Sequence, residues 1–263
     1  MARFFVDEAL AEGVEAQLPA EVTHHAVRVL RLRDGDAITV FNGTGGEFSA
    51  SLHVQGARAW AIPERFDPIE RESPLALTLI QSWVATDKLE WIFEKAVELG
   101  VRRISLVPCA RSVVHLDPPR LERRLARLRE IVISACCQCG RNRLPFIAAP
   151  SSLERGLQEA VADDARGIVL DPRSGDPLVA AANAVNALAL AIGPEGGFDE
   201  HERALAARVG FHAATLGPRM LRTETAGVAG LAVLQAMAGD LREAQRSPAG
   251  NGRSPTPPQP EVA

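Results

Sequence analysis

Leu188-Ala189-Leu190-Ala191-Ile192-Gly193-Pro194-Glu195-Gly196-Gly197-Phe198-Asp199 runs from five apolar residues straight into glycines and an acidic residue. A short, wholly apolar run reads as a strand buried on both faces. A glycine-rich turn follows, and Asp199 with Glu202 three residues later is a capping box that opens a helix to about Val209. The pattern then repeats. Phe211 to Leu216 is a second apolar run, Gly217-Pro218-Arg219-Met220-Leu221-Arg222 is the turn, and Thr223 or Thr225 can cap a helix running to Met237. One such turn is ordinary punctuation between a strand and a helix. Two strand–turn–helix units in succession place both turns at the carboxyl ends of strands, where open α/β sheets bind ligands. Glycine lets backbone approach a ligand closely, and free turn N–H and C=O groups can read a polar planar group.

At 263 residues the chain can bury one large core or two modest ones, and 46% apolar with 24% charged residues suits a globular protein. No apolar run reaches the ~18 residues of a membrane span, and Met1 to Glu8 turns acidic at once with no signal-peptide core. A cytoplasmic protein is expected. Cys136 and Cys139 form a C-x-x-C, but neither a second pair nor a nearby His completes a zinc set, so no metal is expected and Cys109, Cys136, Cys137 and Cys139 are read as free thiols. The net charge of −4 is unevenly spread. Residues 1–72 carry 7 Arg against 12 Asp and Glu, whereas residues 102–143 carry 10 Arg against 3. That local basic block is either an electrostatic footprint for nucleic acid or a solvated arginine-rich helix face.

Residues 1 to about 62 show several short strands, a helix over Thr23 to Leu32, and a hairpin pairing Ala37–Phe41 with Glu47–Val54 across a glycine-rich tip. That density of small strands predicts a compact β-barrel. A charged, proline-bearing stretch from Pro63 to Pro74 marks the boundary, giving units at 1–68 and 69–243. From Leu75 strands and helices alternate, which predicts a mainly parallel sheet covered on both faces. The helices include Asp87 to Leu99, capped by Asp87 and Glu90, one from about Arg120 to Cys137, and one over Pro177 to Asn186. Residues 244–263, rich in proline, cannot bury enough apolar surface to offset their ordering entropy and are expected to be disordered.

Gly193-Pro194-Glu195-Gly196-Gly197-Phe198 followed by Leu216 to Ala226 resembles the two cofactor-loop motifs of the SPOUT methyltransferases, and in particular those of the 16S ribosomal RNA uracil-N3-methyltransferase family. The match spans about Arg3 to Leu241. His24 to Arg31 followed by Asp34-Gly35-Asp36 resembles that family's N-terminal PUA-like RNA-binding barrel, and Arg71 to Leu75 its entry to the catalytic domain. The resemblance implies a trefoil knot, which no periodicity shows and base rates oppose. It also implies S-adenosyl-L-methionine as cofactor, 16S rRNA of the small ribosomal subunit as substrate, and a homodimer paired through the chargeless helix from Ala226 to Ala238.

Carried onto this sequence, the resemblance makes Leu170, Gly193, Glu195, Gly196, Gly197, Leu216, Gly217, Met220, Leu221, Arg222, Thr223 and Ala226 the cofactor contacts, with Asp171-Pro172-Arg173 as a third loop. His25, Arg28, Arg31, Arg111, Arg141 and Arg143 become RNA contacts. Ala110 stands where the family has Glu, and Cys137 where it has an acidic or polar residue, so neither carries a role here. Methylation of a uracil nitrogen needs the N3 proton to leave and the developing anion to be stabilised. Arg222 and Arg141 are the candidates for that stabilisation, with Glu224 as base or positioning carboxylate, or else as a helix cap or partner of Arg219. Two other readings are a SPOUT enzyme acting on another RNA target such as a ribose hydroxyl, and a non-catalytic RNA-binding or ribosome-assembly factor. A dehydrogenase is disfavoured because no G-x-G-x-x-G follows a strand.

Overall fold

The computed structural model describes residues 1–112, 114, 117–162, 164–181 and 185–242. The tail at 244–263 and part of the helix expected over Pro177 to Asn186 lie outside them.

The first sheet has five strands in the order β1-β3-β4-β5-β2. They are β1 (Ala2–Phe5), β2 (Ala16–Gln17), β3 (Ala37–Phe41), β4 (Glu47–Gln55) and β5 (Arg58–Asp67). β1 runs parallel to β3, and the remaining pairs are antiparallel. Its buried residues alternate along the strands, as in Ile38 and Val40 or Ala50 and Leu52, so one face makes a small apolar core. The short helix opens at α1 (Ala20–His24) and continues as a π turn over His25–Val29, with Arg31 then at φ 57°. Wide turns of this kind recur at functional positions in helices.

The second sheet has six strands, all parallel, in the order β11-β9-β10-β6-β7-β8. They are β6 (Ala76–Ser82), β7 (Arg103–Val107), β8 (Phe146–Ala148), β9 (Arg166–Leu170), β10 (Ala187–Ile192) and β11 (Phe211–Ala214). The alternation along β10 sorts its faces. Leu188, Leu190 and Ile192 join one core, with α2 (Thr86–Glu98), α3 (Pro118–Cys139), α5 (Leu178–Ala181) and α7 (Thr223–Ala238). Ala189 and Ala191 join the other, beneath α4 (Leu153–Val161) and α6 (Glu200–Val209). Gly230 explains how α7 comes down onto β10. A Cβ there would stand 2.8 Å from Leu190 Cδ2, so only hydrogen allows that approach.

Helix ends repay comparison with the sequence. Asp199 and Glu202 form the expected capping box on α6, and Gly210 closes that helix in the left-handed region. Asp117 and Ser152 cap α3 and α4. Two expected caps do not form. Asp87 lies inside the first turn of α2, whose N-cap Ala85 has no side-chain bond. Neither threonine caps α7, because its N-cap is Arg222 and the Thr223 hydroxyl is engaged elsewhere.

The two sheets share an interface built on charge and two aromatic rings. Phe5 and Phe41, from the small sheet, pack edge to face at 5.6 Å inside the core of the large unit. Arg3 lies over the Phe41 ring at 4.4 Å, bonds Glu47 and Asn142, and donates to the Arg141 carbonyl at 3.0 Å. The β3–β4 tip closes against the loop after α3 through Gly45 N–H to the Asn142 carbonyl at 3.2 Å. Gly45 has φ 112°, and a Cβ there would meet the Arg143 guanidinium, so glycine is required twice over.

Candidate functional site

A cavity of about 520 Å³ opens at the carboxyl ends of β9, β10 and β11, within the size range of small-molecule sites. Three loops wall it: 170–173 after β9, 192–198 after β10 and 214–223 after β11. Of the twelve residues expected to touch the cofactor, eleven line this cavity, from Leu170 to Ala226; Gly217 does not. Apolar groups from Leu170, Ile192, Leu216, Leu221 and Ala226 supply faces for a flat ring, while Asp171, Glu195 and Arg222 supply charge. A ligand with a planar base, hydroxyls and a charged end fits such a wall.

Side chains behind the loops hold them in place. Thr223 Oγ1, 6% exposed as a residue, donates to the Gly193 carbonyl at 2.7 Å and lies 3.2 Å from the Gln81 amide nitrogen, which donates to it. Arg111 donates to the Gly196 carbonyl at 2.7 Å, and Arg203 to that of Phe198 at 2.7 Å. The buried Glu202 carboxylate, besides closing the capping box, accepts the Ala110 N–H at 2.7 Å and so ties the loop after β7 to the loop after β10. Asp171 receives two bonds from Arg173 at 3.0 Å and has Arg203 at 3.6 Å. Burial pushes the Asp171 carboxyl up, but the Arg173 bonds outweigh it and the group is held below its ordinary range. Glu195 behaves alike: its burial is opposed chiefly by the hydrogen bond from Lys88, and it too lies below its usual value.

The expected catalytic and RNA-binding residues are dispersed. Arg222 is exposed at the cavity rim and makes no side-chain hydrogen bond within the chain among the described residues. Glu224 does not line the cavity and pairs with neither Arg219 nor a helix end; its Oε2 faces Lys88 Nζ at 3.8 Å. Arg141 requires a correction. Its side chain is 4% exposed, grips Glu72 through Nε at 3.0 Å and Nη2 at 2.5 Å, and donates to the carbonyls of Val97 and Val101. Four of its five N–H donors are engaged inside the protein, so it acts as a structural clamp, and it does not line the strand-end cavity. Arg143, by contrast, is about half exposed beside Glu70. Arg111 lines the cavity, though its contact is the loop carbonyl. His25, Arg28 and Arg31 are exposed on the α1 side of the small sheet.

Sequence reading missed Lys88, Gln81, Glu202 and Arg203 as supports of the site. Gln81 carried a signal, being an amide that directly follows the largely apolar run Leu75 to Ile80. Among the described residues no group of three or more His, Cys, Asp and Glu can hold a metal ion, and no helix is long and apolar enough to cross a membrane. Burial raises the Cys109 thiol, and Cys136 to about 12, so both stay protonated near neutrality.

A strand-end cavity with a glycine-rich floor, on a sheet joined to a small β unit, matches a defined class. The model of an RNA methyltransferase domain covers residues 71–235, and that of an RNA methyltransferase PUA domain covers 18–53. The chain belongs to the RNA methyltransferase family, and within it to the ribosomal RNA small subunit methyltransferase E group. The Buchnera aphidicola member of that name is 30% identical over 244 residues, spanning 91% of this chain and 95% of the relative. The enzyme of the same name from Neisseria gonorrhoeae, solved bound to S-adenosyl methionine, is 38% identical with a TM-score of 0.82, over 92% of this chain and 99% of that one. A methyltransferase from Legionella pneumophila, solved with the same cofactor, is 34% identical with a TM-score of 0.84, over 91% and 99%.

Proposed function

We propose that this protein transfers a methyl group from S-adenosyl-L-methionine to N3 of a uridine in the 16S rRNA of the small ribosomal subunit. The observation that carries the reading is the cavity at the ends of β9, β10 and β11, walled by the three loops. Its apolar faces suit adenine, and the Asp171 and Glu195 carboxylates suit hydroxyl and ammonium groups. Bound there, the cofactor supplies an activated methyl group, so no metal and no covalent nucleophile are required.

The chain's own residues then have two tasks. The loops must hold the cavity in its binding shape, which orients the reacting groups. Arg222, exposed at the rim, must meet the charge that develops on the uracil oxygens as the N3 proton departs, where a fixed cation lowers the barrier. Glu224 serves as a positioning carboxylate behind Arg222. The exposed His25, Arg28 and Arg31 of the unit at 1–68, with Arg143 and Arg111 on the unit at 69–243, contact RNA. The outer face of α7 carries Thr225, Val228, Ala229, Ala232 and Ala236, with no charge and, among the described residues, no covering element. A second copy packed there gives a homodimer, in keeping with a helix that is apolar almost all round. The knot belongs to the same proposal: the chain passes from β10 beyond β9 to β11, then returns as α7 across β10. The protein works in the cytoplasm.

The test uses small ribosomal subunits from a strain lacking the gene, labelled S-adenosylmethionine, and nucleoside analysis of the RNA. Label in 3-methyluridine at one site is expected. Label in a ribose 2′-O-methyl nucleoside would move the reading to the other SPOUT chemistry, and cofactor binding with no transfer to any ribosomal RNA would favour an assembly factor.

A further inference from the structure

Lys88, one of only two lysines in the chain, stands between carboxylates from two different parts of the site. It lies in the first turns of α2, and its Nζ donates to Glu195 Oε1 at 2.9 Å and sits 3.8 Å from Glu224 Oε2. Glu195 belongs to the loop after β10 and lines the cavity; Glu224 belongs to the first turn of α7 and does not. Glu224 Oε2 is buried and accepts no hydrogen bond. Among the described residues Lys88 is its only cation within 4.0 Å. Remove the ammonium, and two carboxylates are left facing each other, one of them with a desolvated oxygen. The loop after β10 would then be driven away from α7, and Arg222, two residues before Glu224, would lose its backing.

Resting on the methyltransferase reading above, we propose that Lys88 is a positioning residue for methyl transfer. It pins the cofactor loop to the start of α7 through Glu195 and Glu224, keeping the cavity closed around its ligand and Arg222 aimed into it. The Lys88 side chain is 27% exposed and that of Glu195 40%. Partly exposed pairs contribute little to global stability, so the effect of losing Lys88 is local to the site.

Equilibrium dialysis with labelled S-adenosylmethionine, transfer to small ribosomal subunits, and thermal melting test this on the full chain. Lys88→Met should bind cofactor roughly tenfold more weakly and transfer methyl about 10–100-fold more slowly, the scale of a small misplacement, while melting as wild type does. Lys88→Arg should recover most of the binding. Glu195→Gln should bind more weakly still, because it also loses its own place on the cavity wall, and adding Lys88→Met to it should cost less than Lys88→Met costs the wild type, since the Lys88–Glu195 bond is already gone. Wild-type binding and transfer in Lys88→Met would overturn the role of Lys88 and leave the methyltransferase reading intact, as would strictly additive losses in the pair. A Lys88→Met protein that melts well below wild type would overturn it too, with Glu195→Gln then separating loop from fold. Failure of the wild-type protein itself to bind the cofactor would overturn the methyltransferase reading instead.

Discussion

Arg222→Ala should abolish most methyl transfer while leaving the fold close to wild type. The guanidinium is exposed at the cavity rim, and the N-cap position it occupies draws no bond from its side chain. Its loss therefore removes no packing and opens no buried vacancy, and surface changes of that kind stay within about 0.5 kcal/mol. The charge that develops on the uracil oxygens loses its one fixed counter-charge, and removing a single such donor typically slows an enzyme by about 10²–10³. Lysine should restore only part of the rate, because a compact ammonium lacks the planar fork that reaches two acceptors. Single-turnover transfer beside a melting curve checks this. Equal losses of rate and of melting temperature would show that Arg222 supports the fold and would remove it from the chemistry.

The opposite pattern is expected of Arg141→Ala, with a loss of about 3–5 kcal/mol in stability, the cost of breaking a buried ion pair and stranding its partner. Glu72 is 12% exposed at its side chain and receives both ends of the guanidinium, while the carbonyls of Val97 and Val101 receive the rest. That clamp joins α2, the residues entering β6 and the loop after α3. Arg3 and the hairpin tip are anchored on the same loop, so the change should also loosen the small sheet. Replacing both members of the pair by apolar residues of similar size should cost much less than either single change. Denaturant unfolding of the single and double variants measures it. An Arg141→Ala protein of full stability but without activity would return this residue to the site.

These two arginines mark the limit of what the sequence could tell. Both sit beside helix ends in basic surroundings, and nothing local separates an arginine at a cavity rim from one locked to a glutamate 69 positions earlier. The strands that carry the site were legible because burial on both faces leaves an unbroken apolar run, as in Leu188 to Ile192. The capping box of α6 was legible because both its partners are local. The caps expected of Thr223 and Asp87 failed for the converse reason. The Thr223 hydroxyl bonds the Gly193 carbonyl, 30 residues away in sequence, and α2 is capped at Ala85, ahead of the Asp87 that the acidic pair implied. Lys88 was visible as a rare residue type, but its role depends on Glu195 and Glu224 arriving from the far end of the chain.

The most direct measurement is a crystal structure of the protein grown with S-adenosylmethionine. Ligand density is expected between residues 170–173, 192–198 and 214–223, within reach of Asp171 and Glu195 and with the methyl group open toward Arg222. Density elsewhere, for instance in the groove lined by Glu70, Arg102 and Arg143 beside the loop after α3, or a cavity without ligand at saturating cofactor, would contradict the assignment of this site.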